Sequence, residues 1–187
     1  MPPGVQIRRL TEGDAEAMRD LRQTALESEP TGLAESPEEY RHQTVAMIAT
    51  RLGAGSGDHF VMGAFDGSQL VGTAGLYREM LLKRRHIATM WGVFVLPSHR
   101  GRGIARSLIA AIVERARAAP GLLQIHLSVA SDRQDARGLY VSLGFRSYGV
   151  EPAALQVDGA YFDVELLCLP LADTDHPRFA RSPRLEP

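Results

Sequence analysis

The chain has 187 residues, of which 44% are hydrophobic and 23% are charged, and its formal net charge is -1. This composition is ordinary for a globular protein with a sizeable core, and the balanced charge disfavours a general binder of nucleic acid or of membrane surfaces. The single cysteine, Cys168, excludes an intrachain disulfide, and no signal-peptide or membrane-spanning pattern is present, so we expect a cytoplasmic protein.

Periodic segments in the first half of the chain predict two helices and three strands. Thr11 and Ser36 are N-cap residues, and Ser36 is followed by a proline and two glutamates that favour a helix start. Asp66-Gly67 is a hairpin turn between two strands. In chain order the elements are the strand Val5–Leu10, a helix from Thr11 to about Ser28, a helix from Ser36 to the glycine-rich segment Gly53–Gly57, and the strands His59–Phe65 and Gln69–Tyr77.

The second half continues with strands and helices in alternation. Its elements are the strand Ile87–Leu96, a helix over roughly Gly103–Ala119, the strand Leu122–Val129, a helix over Arg133–Leu143, a strand that begins at Gly144-Phe145, and the strand Tyr161–Leu169. A right-handed crossover would make Ile87–Leu96 and Leu122–Val129 parallel. We therefore predict one α+β domain, a mixed αβα sandwich over residues 1–169, with a proline- and charge-rich tail at 170–187.

The most specific pattern is the junction between the strand Ile87–Leu96 and the helix that follows it. A helix N-terminus offers free N–H groups and the positive end of a dipole, which together favour a phosphate. Gly101 and Gly103 let a ligand approach the main chain, and Arg100 and Arg102 add positive charge. The alternative interpretation is a tight turn with solvated arginines.

Neither of the commoner phosphate loops matches this junction. A dinucleotide-binding fingerprint needs Gly or Ala where Arg106 stands, and the Gly-Lys-Ser/Thr of a Walker loop is absent. The pattern Arg100-x-x-Gly103-x-Ala105, after a strand that ends Val-x-Val-x-Pro, resembles the acetyl-coenzyme A motif of the GNAT superfamily of acetyltransferases. A second signature of that family, Ala136-x-x-Leu139-Tyr140-x-x-x-Gly144-Phe145, lies at the expected spacing.

The resemblance implies an acetyl-CoA-dependent N-acetyltransferase that acetylates a primary amine of a small molecule, or a peptide N-terminus, by direct transfer in a ternary complex. It implies a GNAT-like, mostly antiparallel sheet of six to seven strands, splayed at its central strand and flanked by about four helices. Main-chain groups near Val93 would bind the pantetheine arm and the carbonyl, and the turn would hold the pyrophosphate. The implied cofactor residues are Val93, Phe94, Val95, Arg100, Gly101, Arg102, Gly103, Ile104, Ala105, Arg106, Arg133 and Tyr140.

The resemblance also makes Tyr140 the general acid that protonates the leaving sulfur, the alternative being a tyrosine that only packs in the core. The general base is open, because Thr89 stands where related enzymes have a glutamate. Candidates are His86, Glu79, or a water held by the main chain and Thr89. No cluster of ligand residues predicts a metal, and we interpret the isolated histidines His42, His59, His126 and His176 as structural or surface residues.

Four further possibilities concern partners and an alternative function. Acidic residues in Glu27–Tyr40 suggest attraction of a cationic amine, although helix capping accounts better for Glu38 and Glu39. Thr89 and Arg133 depart from the family pattern and support an alternative function, a non-catalytic acyl-CoA sensor. The basic run Lys83-Arg84-Arg85 suggests nucleic-acid binding, which the overall charge disfavours. A homodimer is possible through an exposed edge at the last strand, Tyr161–Leu169.

Overall fold

The computed structural model describes residues 4–55 and 57–171. Seven strands form one sheet: β1 (Val5–Arg9), β2 (His59–Asp66), β3 (Gln69–Arg78), β4 (Ile87–Val95), β5 (Gln124–Ala130), β6 (Arg146–Val157) and β7 (Ala160–Pro170). Their spatial order is β1-β2-β3-β4-β5-β7-β6. Because β7 includes Pro170, regular structure extends one residue into the predicted tail, and the tail from position 172 onward lies outside the described residues.

The described residues contain five α-helices: α1 (Ala15–Ser28), α2 (Pro37–Tyr40), α3 (Val45–Gly53), α4 (Ile104–Ala118) and α5 (Gln134–Ser142). The single helix predicted from Ser36 to Gly53 is wrong, because Thr44 begins a new helix. Its hydroxyl accepts a hydrogen bond from the N–H of Met47 at 3.2 Å. The predicted capping box at Ser36 is present, with Glu39 as the reciprocal partner. Before α1, residues Glu12–Asp14 form a 3₁₀ turn.

The sheet is mixed, and its one parallel pair is β4 with β5; every other pair is antiparallel. Helix α4 supplies the crossover between β4 and β5, as predicted. The edge expected at Tyr161–Leu169 is wrong, because β7 lies between β5 and β6, and β6 is the edge strand. The predicted mixed, mostly antiparallel sheet of six to seven strands is confirmed.

Two apolar cores lie on opposite faces of this sheet. Helix α4 covers one face, and its fully buried stripe consists of Ile104, Leu108, Ile109 and Ile112. Helices α1 and α3 cover the other face over β1 to β4, where Leu21, Ile48 and Phe94 belong to one cluster. A short connection that includes the 3₁₀ turn Pro97–His99 joins β4 to α4, so the N-terminus of α4 lies near the carboxyl end of that strand. Both helical layers therefore meet near the end of β4.

Candidate active site between strands β4 and β5

The site begins where β4 and β5 stop pairing. Their register runs only from Ile87↔Gln124 to Thr89↔His126, and beyond that point β4 is paired with β3 alone. The gap opens into a cleft with a volume of about 330 Å³. The main-chain groups on the β5 side of β4 have no strand partner along this stretch, so they are available to a ligand.

A bulge in β4 lies at the entrance to this unpaired stretch. Trp91 pairs with Gly75 and Phe94 with Thr73, so β4 has one extra residue at this point. Gly92 occupies the bulge with φ of 62°, a left-handed conformation that glycine adopts without strain. The Thr73 hydroxyl lies 3.3 Å from the Gly92 carbonyl and donates to it. The bulge changes the direction of the main chain just before Val93, which lines the cleft.

The N-terminus of α4 forms the second wall of the cleft. Gly101 and Gly103 have φ values of 74° and 77°, and no atom lies within 4 Å of a Cβ built on either residue. Gly103 is the N-cap and provides no side-chain cap, so the first N–H groups of α4 are left for a ligand. The arrangement is an open, positively polarised cradle.

A buried carboxylate, Glu29 at the end of α1, joins two cationic side chains of the cleft. Nη2 of Arg100 donates to Oε1 of Glu29 at 2.5 Å, and Arg133 donates to Oε2. Glu29 is only 9% exposed. Two guanidinium groups around one carboxylate leave a net positive charge, and the shared partner holds both groups at the rim of the same cleft.

Glu29 belongs to the acidic segment Glu27–Tyr40, for which the sequence suggested either attraction of a cationic amine or local helix contacts, and in the structure its carboxylate binds two arginines. Glu35 pairs with Arg22 at 3.3 Å, and Glu39 closes the capping box of α2. The acidity of this segment is therefore largely committed to local contacts. One signal for Glu29 was present in the sequence: a carboxylate at a helix C-terminus opposes the helix dipole and needs a compensating cation.

Tyr140 lies in the wall of the cleft that α5 contributes. The residue is 7% exposed, and its ring meets that of Phe145 edge-on, with centroids 5.8 Å apart. Burial raises the pKa of Tyr140 to about 12. The phenol therefore stays protonated at neutral pH and can act as a hydrogen-bond donor toward the cleft.

A family model for the acetyltransferase (GNAT) family matches residues 16–145. The chain belongs to the GNAT acetyltransferase family. Its membership supports acetyl transfer as the general reaction, and it confirms the resemblance carried by the two sequence motifs. A comparison with curated proteins found no match.

Solved structures of GNAT acetyltransferases share this fold. An acetyltransferase of the family from Streptococcus pneumoniae has a TM-score of 0.80 at 20% identity, covering 89% of this chain and 99% of that chain. A putative acetyltransferase, YncA, from Salmonella typhimurium with its cofactor acetyl-CoA has a TM-score of 0.76 at 20% identity, over 92% and 97%. A phosphinothricin acetyltransferase from Sinorhizobium meliloti in complex with acetyl-CoA has a TM-score of 0.77 at 20% identity, over 92% and 91%.

The residues of this GNAT cleft are suited to the phosphates of acetyl-CoA, since an open glycine turn, a helix N-terminus and arginines converge there. The predicted cofactor residues that line it are Val93, Phe94, Val95, Arg100, Gly101, Gly103, Ile104, Ala105, Arg106, Arg133 and Tyr140. Arg102 is not among the lining residues, and its guanidinium forms an ion pair with Asp66 at 3.0 Å.

The two predicted bases occupy different positions, and neither lines the cleft wall itself. The Thr89 hydroxyl donates to Oε1 of Glu79 at 3.2 Å, so this carboxylate, just after the end of β3, reaches the last residue of β4 that pairs with β5. Arg84 lies 3.6 Å from the other oxygen of Glu79. The carbonyl of His86, by contrast, accepts the N–H groups of Leu123 and Gln124, which ties its main chain to the start of β5.

Sequence reasoning set His126 aside as a structural residue, but the structure places it beside this carboxylate group. It is the register partner of Thr89, and its ring lies 5.1 Å from that of Tyr148. Burial and the nearby Arg84 lower the pKa of His126, so the imidazole is neutral at pH 7. Only tertiary pairing shows this neighbour, because the two residues are far apart in the chain.

No group of three or more His, Cys, Asp or Glu side chains within the described part of the chain could hold a metal ion. No helix within residues 4–55 and 57–171 is long and apolar enough to cross a membrane.

Proposed function

We propose that the protein is an acetyl-CoA-dependent N-acetyltransferase that acetylates a primary amine, on a small molecule or at a peptide N-terminus, by direct transfer in a ternary complex. The observation that carries the proposal is the gap between β4 and β5, because Tyr140, the unpaired stretch of β4 and the cradle at α4 all line one cleft. Acetyl-CoA supplies an activated thioester. The chain supplies binding, orientation and proton transfer.

Direct transfer forms a bond from the amine nitrogen to the acetyl carbon and breaks the bond from that carbon to sulfur. The amine loses a proton and the sulfur gains one, so the site needs an acceptor and a donor of protons. A main-chain N–H near Val93 polarises the acetyl carbonyl in this proposal. Tyr140 donates to the leaving sulfur, since burial keeps its hydroxyl protonated and also makes a thiolate formed beside it more basic.

Glu79 is the proton acceptor in this proposal, directly or through a water held at Thr89. Its carboxylate accepts a hydrogen bond from the hydroxyl of Thr89. Thr89 is the residue of β4 that stands where related enzymes have a glutamate. Among residues 4–55 and 57–171, no side-chain hydrogen bond of this kind is found for His86. The same observation weakens the sensor alternative, which depended on Thr89 as a sign that the base was lost.

The test is release of free thiol from acetyl-CoA in the presence of polyamines, aminoglycosides, amino acids and peptides with free N-termini. We expect turnover with at least one class, and we expect Tyr140→Phe to lower kcat by about 100-fold or more while acetyl-CoA affinity changes less than about threefold. Tyr161→Phe is the matched control, because Tyr161 is 66% exposed. Tight acetyl-CoA binding with no turnover on any amine would support the sensor instead.

A further inference from the structure

The connection between β3 and β4 presents three consecutive apolar side chains to solvent. Met80, Leu81 and Leu82 are 91%, 68% and 81% exposed, respectively, and we call these three residues the apolar tip. Single exposed apolar residues are ordinary on protein surfaces. A contiguous apolar patch rimmed by polar residues, by contrast, is typical of a surface that contacts a partner or a membrane.

Hydrogen bonds within the connection hold the apolar tip in its outward position. The N–H of Arg84 donates to the carbonyl of Leu81 at 2.8 Å, in a 3₁₀ turn. The guanidinium of Arg78, at the end of β3, donates to the carbonyl of Arg85 and, at 2.9 Å, to the carbonyl of Pro120. The tip is therefore part of a hydrogen-bonded turn, and its exposure is a property of the folded protein.

The basic run that follows the tip, Lys83-Arg84-Arg85, carries an excess of positive charge. Arg84 lies 3.6 Å from the carboxylate of Glu79, which offsets its charge. Lys83 and Arg85 are exposed, and their side chains form no ion pair within residues 4–55 and 57–171. The formal net charge of -1 is a sum over the whole chain, so it does not describe the charge at this end of the molecule.

Apolar and cationic side chains in one exposed turn match the surface of an anionic phospholipid bilayer. Apolar side chains enter the interfacial region of a bilayer, and long basic side chains extend to its phosphate groups. Nucleic acid would bind the cations and leave the apolar tip in water. A second copy that docked through the same turn would bring Lys83 and Arg85 of both copies together, and like charges repel.

The position of the apolar tip leaves the cleft open to solvent. The tip precedes β4, and the cradle at Gly101 and Gly103 follows it, so the nine residues of this strand separate the two by about 30 Å. This distance is well beyond the range of electrostatic interaction at physiological salt. An anionic ligand of the cradle is therefore not repelled by an anionic bilayer that lies against the tip.

We propose that the apolar tip and its basic run dock the protein reversibly on an anionic phospholipid surface. Met80, Leu81 and Leu82 enter the headgroup region, and Lys83 and Arg85 contact lipid phosphates. Docking requires no turnover, so it is independent of the proposed acetyl transfer.

The test is cosedimentation of the full chain with vesicles of phosphatidylcholine, either alone or mixed with phosphatidylglycerol. We expect the protein to bind the mixed vesicles about tenfold or more tightly than the neutral ones, because each cation near an anionic surface adds to the affinity. Added salt should weaken binding to the mixed vesicles, since it screens this attraction.

Two double variants separate the apolar and the cationic contributions. Leu81→Ser with Leu82→Ser, and separately Lys83→Gln with Arg85→Gln, should each weaken binding to the mixed vesicles about tenfold or more. All four positions are exposed, so the thermal unfolding midpoint should stay at its wild-type value. Two exposed positions outside this turn provide matched controls that should bind like the wild type, Val150→Ser and Arg41→Gln.

Fluorescence gives a second readout of insertion. Leu81→Trp places an indole in the apolar tip, and its emission should move to shorter wavelength on addition of the mixed vesicles. The emission of Val150→Trp, at an exposed position on β6, should not move. An unchanged spectrum for Leu81→Trp at saturating vesicle concentration would contradict insertion of the tip.

Three other outcomes would overturn the proposal. The first is absence of binding to the mixed vesicles at low salt, or binding that both double variants leave intact. The second is binding to duplex DNA, in place of vesicles, that depends on Lys83 and Arg85 and not on the apolar tip. The third is a dimer in light scattering that Leu81→Ser with Leu82→Ser dissociates, without vesicle binding by the wild type.

Discussion

The two halves of strand β4 differ in how many neighbouring strands they pair with. From Ile87 to Thr89 the strand is paired on both sides, with β3 and with β5. From Gly92 to Val95 it is paired on one side only, and its register is interrupted by a bulge. Ala88 in the first half is fully buried and does not line the cleft, whereas Val93, Phe94 and Val95 in the second half line it.

This difference shows that the candidate site lies where β4 is no longer paired with β5. A strand paired on both sides has no main-chain groups to offer a ligand, whereas a strand paired on one side exposes a row of them. The bulge and the helix N-terminus then surround that row with a turn and positive charge. Changes in the closed half should therefore affect stability, and changes in or near the open half should affect ligand affinity and turnover.

The largest effect is expected from loss of the Glu79 carboxylate, which contacts Thr89 where the two halves of β4 meet. Glu79→Gln removes the carboxylate that accepts from Thr89, and we expect kcat to fall about 100-fold, since loss of a general base costs roughly 10² to 10⁴. Steady-state thiol release measures it. His86→Asn should remain within about threefold of the wild type, and Glu38→Gln, an exposed glutamate, is a matched control. A reversed ranking of Glu79 and His86 would move the base to the imidazole.

A smaller effect is expected at Glu29, whose carboxylate holds two arginines of the cleft that the open half lines. Glu29→Gln keeps the size of the side chain but loses its charge, so Arg100 and Arg133 lose their common partner. We expect the KM for acetyl-CoA to rise about tenfold with little change in kcat, because charge-assisted contacts set ligand position. Glu27→Gln, exposed on the same helix, is the control. A change confined to kcat would contradict this assignment.

A paired substitution tests the two halves directly. Gly92→Ala forces a Cβ into a left-handed conformation and close to Arg22, so we expect a loss of about 1–2 kcal/mol of unfolding free energy together with severalfold weaker acetyl-CoA binding. Ala88→Gly in the closed half should cost about 1 kcal/mol with unchanged affinity. Chemical denaturation and calorimetry report the two quantities. Equal affinity losses would show that both halves contribute to the site.

The smallest expected effect is a flat pH profile. Because burial raises the pKa of Tyr140 to about 12, its hydroxyl stays protonated from pH 7 to pH 10. This group should therefore cause no fall in kcat with rising pH across that range. A fall with a midpoint below pH 10 that disappears in Tyr140→Phe would show that the hydroxyl titrates normally and is solvated in the working enzyme.

Much of the fold was predictable because it depends on local patterns. Alternating apolar residues predicted the strands, and the capping residues Thr11 and Ser36 marked helix starts. The predicted second helix was wrong at Thr44, where a second cap competes with continuation of the helix. The expected edge at β7 was also wrong, since strand order depends on packing between distant segments.

By itself the sequence determined the family, the fold class and the cradle at Gly101 and Gly103, because those signals lie within a few neighbouring residues. Only the tertiary structure decided which side chains meet: Glu29 with two arginines, Glu79 with Thr89, and Arg22 with Trp91. These contacts join residues 10 to 104 positions apart. Charge pairing and burial act through space, so the sequence can indicate that a group such as Glu29 needs a partner but does not identify that partner.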